Sequence, residues 1–582
     1  LSHYKYADLP MGEFWNNSPT HDKPNDMLDA ISGAHIYGKN IVQAESFTTV
    51  RMDWSEHPGK LKALGDRQFA LGINKLVFHV FTHNPWLNKK PGMTLDGVGL
   101  YFQRDQTWFK QSKAWMEYLT RCQSLLQLGK PVTDIAVFTS DELPRRAVLP
   151  DRLVNVLPGL IGNERIEAEK VRLANNGQPL RSIPDGVTHA ANMADPEDWV
   201  DPLNGYAYDS FNPDVLMQMK VVNGRVVTPG GASYALLVFP AAHKLNPNSL
   251  WMSVPVAVKI LELLNQGANI LLEEEVVHGR GWKEDDGAIR LLMDKIKTGS
   301  FKGWNMRGAW KESNLPFLQK DVDVIKGKGK LAWTHRLTAD TDIYFISNQS
   351  GEGLRTEFLI RATNKEVEAL NPVTGEYFTS YYVENTDKGI RIKTWLSPAQ
   401  SLFFICKKKA SPESEGYATI REPEEMDFSR DWTVQFDPAY GGPVKPVLFP
   451  QLKSWTSFAD TAIRYYSGRA VYTKTIDFAP PASNSKAWLV IDGVQDIASV
   501  KINGRDCGTI WTAPYQLDIS KALKQGTNTI EITVSNTWHN RLIADERLPA
   551  DKRITFTTAP FRLKDKPLLP AGITSSVKII VQ

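Results

Sequence analysis

The sequence predicts a multidomain chain, mixed α/β in its first half and all-β in its second, opening on the C-terminal part of a (β/α)8 barrel. Three patterns carry that expectation. Strand-like segments ending in polar residues recur every thirty-odd residues up to position 129, with helix-compatible stretches between them. Short continuous apolar runs then alternate with helical pattern to about residue 310. Beyond that point helices disappear, and alternating strands separated by turn signals take over. At 582 residues the chain exceeds what one core can hold, so roughly three to five domains are expected.

In residues 1–129 the repeat is explicit. LPMGEFW places Glu13 at the close of one run, IVQAESFT places Glu45 at the close of the next, and KLVFHVFTH places His79 in the third. Helices are expected over 25–38, 57–72 and 108–129. The second has Ser55 as its expected N-cap, Pro58 in its first turn and Gly72 at its C-cap. A (β/α)8 barrel uses about 31 residues per unit, so the spacing fits three successive βα units. The chain opens on Leu1, mid-pattern and without initiator Met or signal peptide. It is therefore expected to be a fragment or processed product, with about five units lying upstream.

Strand alternation sets Ile41, Gln43 and Glu45 on one side and Val42, Ala44 and Ser46 on the other. The small apolar pair suits the helix-facing side, which leaves Glu45 on the axial side at the C-terminal mouth, where barrel chemistry is done. Glu45 is then a catalytic carboxylate or a solvated loop acid. Glu13 holds the equivalent place one unit earlier, and two carboxylates flanking a bond are what glycoside hydrolysis needs. His79 and His83 form an H-x-x-x-H, but four residues of extended chain span about 13 Å, too far for a shared zinc. Each is a candidate partner for a substrate hydroxyl or a structural histidine. Trp15, Trp54, Trp86 and Trp108 fall at or after strand ends, so they suit a sugar cleft or a core.

Residues 130–310 contain DIAVF, YALLVFP and NILLEE, typical of buried parallel strands, with a helix over 253–267, and predict a doubly wound, flavodoxin-like α/β domain. Neither a G-x-G-x-x-G after a strand nor a P-loop occurs. NGRVVTPGGASY (223–234) reads as a hairpin or turn. A small β-sandwich is expected over 311–410 and a charged linker over 411–427. A jelly roll follows over 428–582, its strands broken by Asn-Gly and Gln-Gly turns. There WHNRLIADE (538–546) reads as a loop that either touches carbohydrate or pairs Arg541 with Asp545 at a domain interface, the structural role being favoured.

Composition removes several classes. Lys and Arg number 68 against 65 Asp and Glu, too even a balance for a nucleic-acid or anionic-membrane partner. No apolar stretch approaches the roughly 20 residues of a membrane span. Cys122, Cys406 and Cys507 are isolated, which supports neither disulfides nor thiolate zinc. The 17 Trp, 18 Tyr and 24 Phe suit sugar stacking and sandwich cores alike.

The C-terminal run IDGVQDIASVKINGRDCGTIWTAPYQLDISKALKQGTNTIEITVSNTWHNRLIADE resembles the galactose-binding-like jelly roll appended to glycoside hydrolases. GYAYDSFNPDVLMQ and VVNGRVVTPGGASYALLVFPA resemble the α/β domain that follows the barrel in several of them. With MGEFW and VQAESF, the chain resembles the C-terminal half of bacterial α-L-rhamnosidases of glycoside hydrolase family 106. The resemblance implies inverting, calcium-assisted hydrolysis of terminal α-L-rhamnose from plant-type polysaccharides, in a periplasmic or extracellular setting. It implies Glu45 as general base and Glu13 as an active-site carboxylate on calcium or substrate. The general acid is expected from an earlier strand, so this chain would need the N-terminal remainder of the enzyme as its partner. Competing readings are a retaining β-galactosidase-like enzyme with Glu45 as nucleophile, and a noncatalytic carbohydrate-binding or scaffold protein.

Overall fold

A computed structural model describes residues 1–16, 24–49, 52–95, 98–143, 145–148, 200–201, 203–242, 247–281, 286–308, 317–408, 424–479 and 486–581. The expected linker over 411–427 lies outside them up to residue 423.

The first segment holds β1 (Met11–Asn16), α1 (Pro24–Ile36), β2 (Gln43–Thr49), α2 (Pro58–Leu71), β3 (Lys75–Phe78) and α3 (Lys113–Leu126). The three strands form one parallel sheet in sequential order. Helix α2 ends at Gly72 as expected, with φ 126° at that glycine. Its N-cap is His57, not Ser55. Ser55 is occupied otherwise: its amide donates to Asp53 (3.1 Å) and its hydroxyl accepts from Lys60 (2.5 Å). Helix α3 begins five residues later than the apolar pattern suggests, because 108–112 adopt turns. Val42, Ala44 and Phe14 pack with Ile31, Leu61, Phe69 and Trp115 in the core behind the sheet.

A second sheet is all parallel, with β4 (Ile135–Phe138), β5 (Tyr208–Phe211), β6 (Leu236–Phe239), β7 (Ile270–Leu272) and β8 (Asn305–Arg307) in the order β8-β7-β6-β4-β5. Strands β4, β6 and β7 are buried throughout, the mark of a parallel sheet covered on both faces. Helices α4 (Val254–Gln266) and α5 (Asp286–Thr298) belong to this unit. The expected hairpin is present: Arg225–Val227 pairs antiparallel with both Lys220–Val222 and Ser233–Tyr234. Helix α1 ties this sheet to the first one. His35 Nδ1 lies 2.8 Å from Asp209 Oδ1, and Ser32 accepts from the Ser210 amide.

Residues 322–408 form antiparallel sheets of four and five strands, the latter made six by Lys130–Pro131 at its edge. Strand Asp342–Asn348 is buried on both sides by simple alternation. Tyr344 and Ile346 enter the core between the sheets, while Ile343 and Phe345 join the first core, where Phe345 meets Phe69 edge-on at 6.2 Å. Residues 424–581 supply another antiparallel pair of four and six strands around Trp432, Trp455 and Tyr472. The segment 538–546 is a helix, His539–Glu546, and not a loop. Arg541 and Asp545 do pair, one turn apart inside that helix. The helix docks on the first segment, with His539 Nδ1 2.6 Å from the Asp53 carbonyl. Among the described residues no helix is long and apolar enough to cross a membrane.

Candidate active site

Parallel pairing decides where the glutamates fall. Glu13 on β1, Glu45 on β2 and Val77 on β3 stand at one level, side by side across the sheet. Neighbouring backbones in a sheet run about 4.8 Å apart. Glu13 and Glu45 are half-buried, whereas Gly12, Phe14, Val42 and Ala44 on the opposite face are buried. The acids therefore occupy the face turned away from the helices, each as the third residue of its strand and not at the strand's close as the sequence pattern suggested, because β1 runs on to Asn16 and β2, through a bulge, to Thr49.

A local irregularity shapes β2 just after Glu45. Ser46 lies opposite Phe14 and Thr48 opposite Trp15, so Phe47 is an extra, unopposed residue: a β-bulge. Its φ of 67° lies in the left-handed region, where a bulky side chain is strained. Packing sustains the strain. Phe47 is fully buried and sits edge-on to Phe14 at 5.0 Å, with Phe78 at 6.0 Å and Trp115 at 5.7 Å. The bulge shifts the alternation by one residue and brings Thr48 to the Glu45 side, where its hydroxyl donates to Glu45 Oε1 at 3.2 Å. Sequence periodicity gave no sign of Thr48.

The other expected residues divide. Trp15 follows Glu13 on the same face and is half-buried. His79 continues β3, its amide donating to the Ser46 carbonyl at 3.1 Å. Its buried Nδ1 has no hydrogen-bond partner among the described residues. His83 is exposed in the following loop. Trp86 packs edge-on to Phe556 at 5.3 Å beneath the Lys89 ammonium, where residues 556–558 pair with 90–92. Trp54 and Trp108 belong to the core. For calcium, which takes six to eight oxygen ligands, the described residues offer Glu13 but no group of three or more His, Cys, Asp or Glu able to hold a metal. They do not make a calcium site by themselves. Asn17, Ser18, His21 and Asp22, part of the oxygen-rich loop after Glu13, lie outside the described residues.

A buried acid that the sequence did not single out lies in the loop between β2 and α2. Burial, reinforced by the charge of Asp53, raises the Glu56 carboxyl to about 7. Its Oε2 has no hydrogen-bond partner among the described residues. Trp108 donates to the Glu56 carbonyl at 3.0 Å, and His57 next to it faces Asp496 at 3.6 Å. This loop is the seam with the C-terminal β unit.

The alpha-L-rhamnosidase model of glycoside hydrolase family 106 matches residues 1–177 and 185–383. The chain belongs to that family. A glycosyl hydrolase 2 galactose-binding domain-like model matches 455–564, within the C-terminal sheet pair. The solved rhamnosidase of Novosphingobium sp. PP1Y is similar over 100% of this chain and 52% of its own, at 27% identity and a TM-score of 0.82. A Formosa agariphila protein named "Putative beta-glucuronidase" is 23% identical, over 99% of this chain and 66% of its own length. This family 106 chain thus spans about half of that rhamnosidase and just under two thirds of that relative.

Proposed function

We propose that this chain carries the general base of an inverting α-L-rhamnosidase that removes terminal α-L-rhamnose from plant-type polysaccharides in a periplasmic or extracellular setting. The observation that carries the reading is the register of Glu13 beside Glu45 on the helix-free face of a parallel sheet, with Thr48 on the Glu45 carboxylate. In this scheme the three strands are staves of a (β/α)8 barrel completed by the N-terminal remainder of the enzyme, and the last β unit is its jelly roll.

Thr48 occupies Oε1 and orients the carboxylate, leaving Oε2 to accept a proton from water. The water oxygen bonds to the anomeric carbon as the bond to the leaving oxygen breaks, and an acid on the far side protonates that oxygen. Backbones about 4.8 Å apart bring Glu13 and Glu45 closer than the roughly 6.5–9.5 Å between an inverting acid and base. Glu13 is therefore assigned to substrate binding, or to calcium with further ligands from outside the described residues, and the acid to another strand. The same closeness favours a second reading. A pair at roughly 5–5.5 Å would act by retention, with Glu45 as nucleophile.

The test is Glu45→Gln in the complete polypeptide with an aryl α-L-rhamnoside. General base catalysis contributes about 10²–10⁴-fold, so kcat falls by that order, and wild-type turnover would remove Glu45 from the mechanism. The anomer first released, read by NMR, separates inversion from retention.

A further inference from the structure

The segment that leads into β2 borders a cavity of about 520 Å³ that the hydrolytic reading does not use. It opens where the α1–β2 loop (Lys39, Asn40), the 129–134 connector, the 225–233 hairpin and Arg361 of the β-sandwich meet. Asn40 lies three residues before β2 begins, and neither Glu13 nor Glu45 lines the cavity. The cavity is therefore separate from the carboxylate pair.

Its walls are cationic. Lys39, Lys130, Arg225 and Arg361 line it against a single carboxylate, Asp134. Arg225 and Arg361 both spend a nitrogen on Asp134, at 2.8 and 2.5 Å, and are held in place by it. Lys39 and Lys130 have no ion-pair partner among the described residues. The Lys130 ammonium lies over Gly231, within 2.9 Å of where a β-carbon would stand. Behind the wall Arg336 is buried with carbonyl and amide oxygens of Leu128, Gly129 and Asn40 as its acceptors, so it adds positive charge with no carboxylate partner among the described residues. Glycine closes one side of the cavity: a β-carbon on Gly230 would stand 2.2 Å from the Gly38 amide nitrogen. Thr133, Ser233 and Thr338 are also among its lining residues.

We infer that this cavity binds a small oxyanion-bearing, polyhydroxylated ligand, a sugar carboxylate or sugar phosphate. The two unpaired ammonium groups take the oxyanion, and the hydroxyl-bearing side chains take the ring. The volume falls within the roughly 300–1,000 Å³ usual for ligand sites.

Calorimetric titration of the complete polypeptide with galacturonic acid, glucose 6-phosphate, inorganic phosphate and neutral galactose tests this. Saturable binding is expected for the two sugar anions, with galactose silent and affinity falling as salt rises. Lys39→Gln combined with Lys130→Gln, both solvent-reachable, weakens that binding by about tenfold or more. Replacing two lysines elsewhere, Lys521 and Lys566, by glutamine leaves it unchanged. The relative affinities of the two sugar anions tell carboxylate from phosphate. The inference is overturned if neither saturates by about 10 mM, if the paired variant binds as wild type does, or if inorganic phosphate binds as tightly as both.

Discussion

Replacing Lys62 with methionine is expected to be among the most destabilising single changes in the first segment. Its ammonium is enclosed and makes three contacts, to Asp66 Oδ2 at 2.6 Å, the Ala399 carbonyl at 2.7 Å and Ser401 Oγ at 2.8 Å. Side-chain exposure of Lys62 and Asp66 is 0% and 1%. Methionine fills much of the same volume but leaves Asp66 buried as an anion whose remaining partners are Tyr118 and Ser347. Breaking one side of a buried pair costs about 3–5 kcal/mol. At about 2–4 °C per kcal/mol for units of this size, the melting temperature drops by roughly 10 °C. Calorimetry on wild type, Lys62→Met, and the double variant Lys62→Met with Asp66→Leu is the assay, since replacing both charges recovers most of the loss. A single-variant loss below about 1 kcal/mol, or a double variant worse than the single, would refute the reasoning. The change also reaches the site. Helix α2 carries Lys62 and Asp66, and a β-carbon on its Gly65 would lie 3.2 Å from the Phe47 ring, so a loosened helix releases the bulge that sets Thr48 on Glu45.

Phe47→Ala empties the pocket among Phe14, Phe78 and Trp115 and keeps the left-handed backbone; a loss of about 3–5 kcal/mol in urea unfolding is expected. Thr48→Val in the complete enzyme lowers kcat by about tenfold with little change in KM, because it leaves Glu45 in place but unoriented. Glu56 gives a pH dependence. Its folded pKa of about 7 lies above its ordinary 4.5, so the unfolded chain loses this proton first and stability falls as pH rises from about 4.5 to 7. The fall totals about 3 kcal/mol. Glu56→Gln removes that component, so melting temperatures of variant and wild type diverge across this window, and parallel curves would contradict it. Chelation with EGTA that lowers kcat/KM, reversed by calcium, is the outcome expected if calcium joins Glu13; an unchanged rate removes calcium from the proposal.

Much of this was legible from local pattern. The βα repeat shows because each unit has nearly the same length, and that regularity is also why Glu13 and Glu45 fall at one level. The parallel strands Ile135–Phe138, Leu236–Phe239 and Ile270–Leu272 show as continuous apolar runs because both faces are covered. Local pattern misled where side chains had better partners elsewhere. Ser55 has the composition of an N-cap but is held by Asp53 and Lys60, and the helix at His539–Glu546 is stabilised by docking on Asp53.

By itself the sequence determined the order of α/β and all-β parts, the apolar faces of the strands and the spacing of the two acids, all of which follow from short-range periodicity. Tertiary structure alone decided that Phe47 bulges, that Thr48 consequently turns to Glu45, that Glu56 is enclosed at a seam, and that four cations from distant segments line one cavity. These depend on contacts between residues far apart in the chain, where packing and desolvation, which no local pattern encodes, set the outcome.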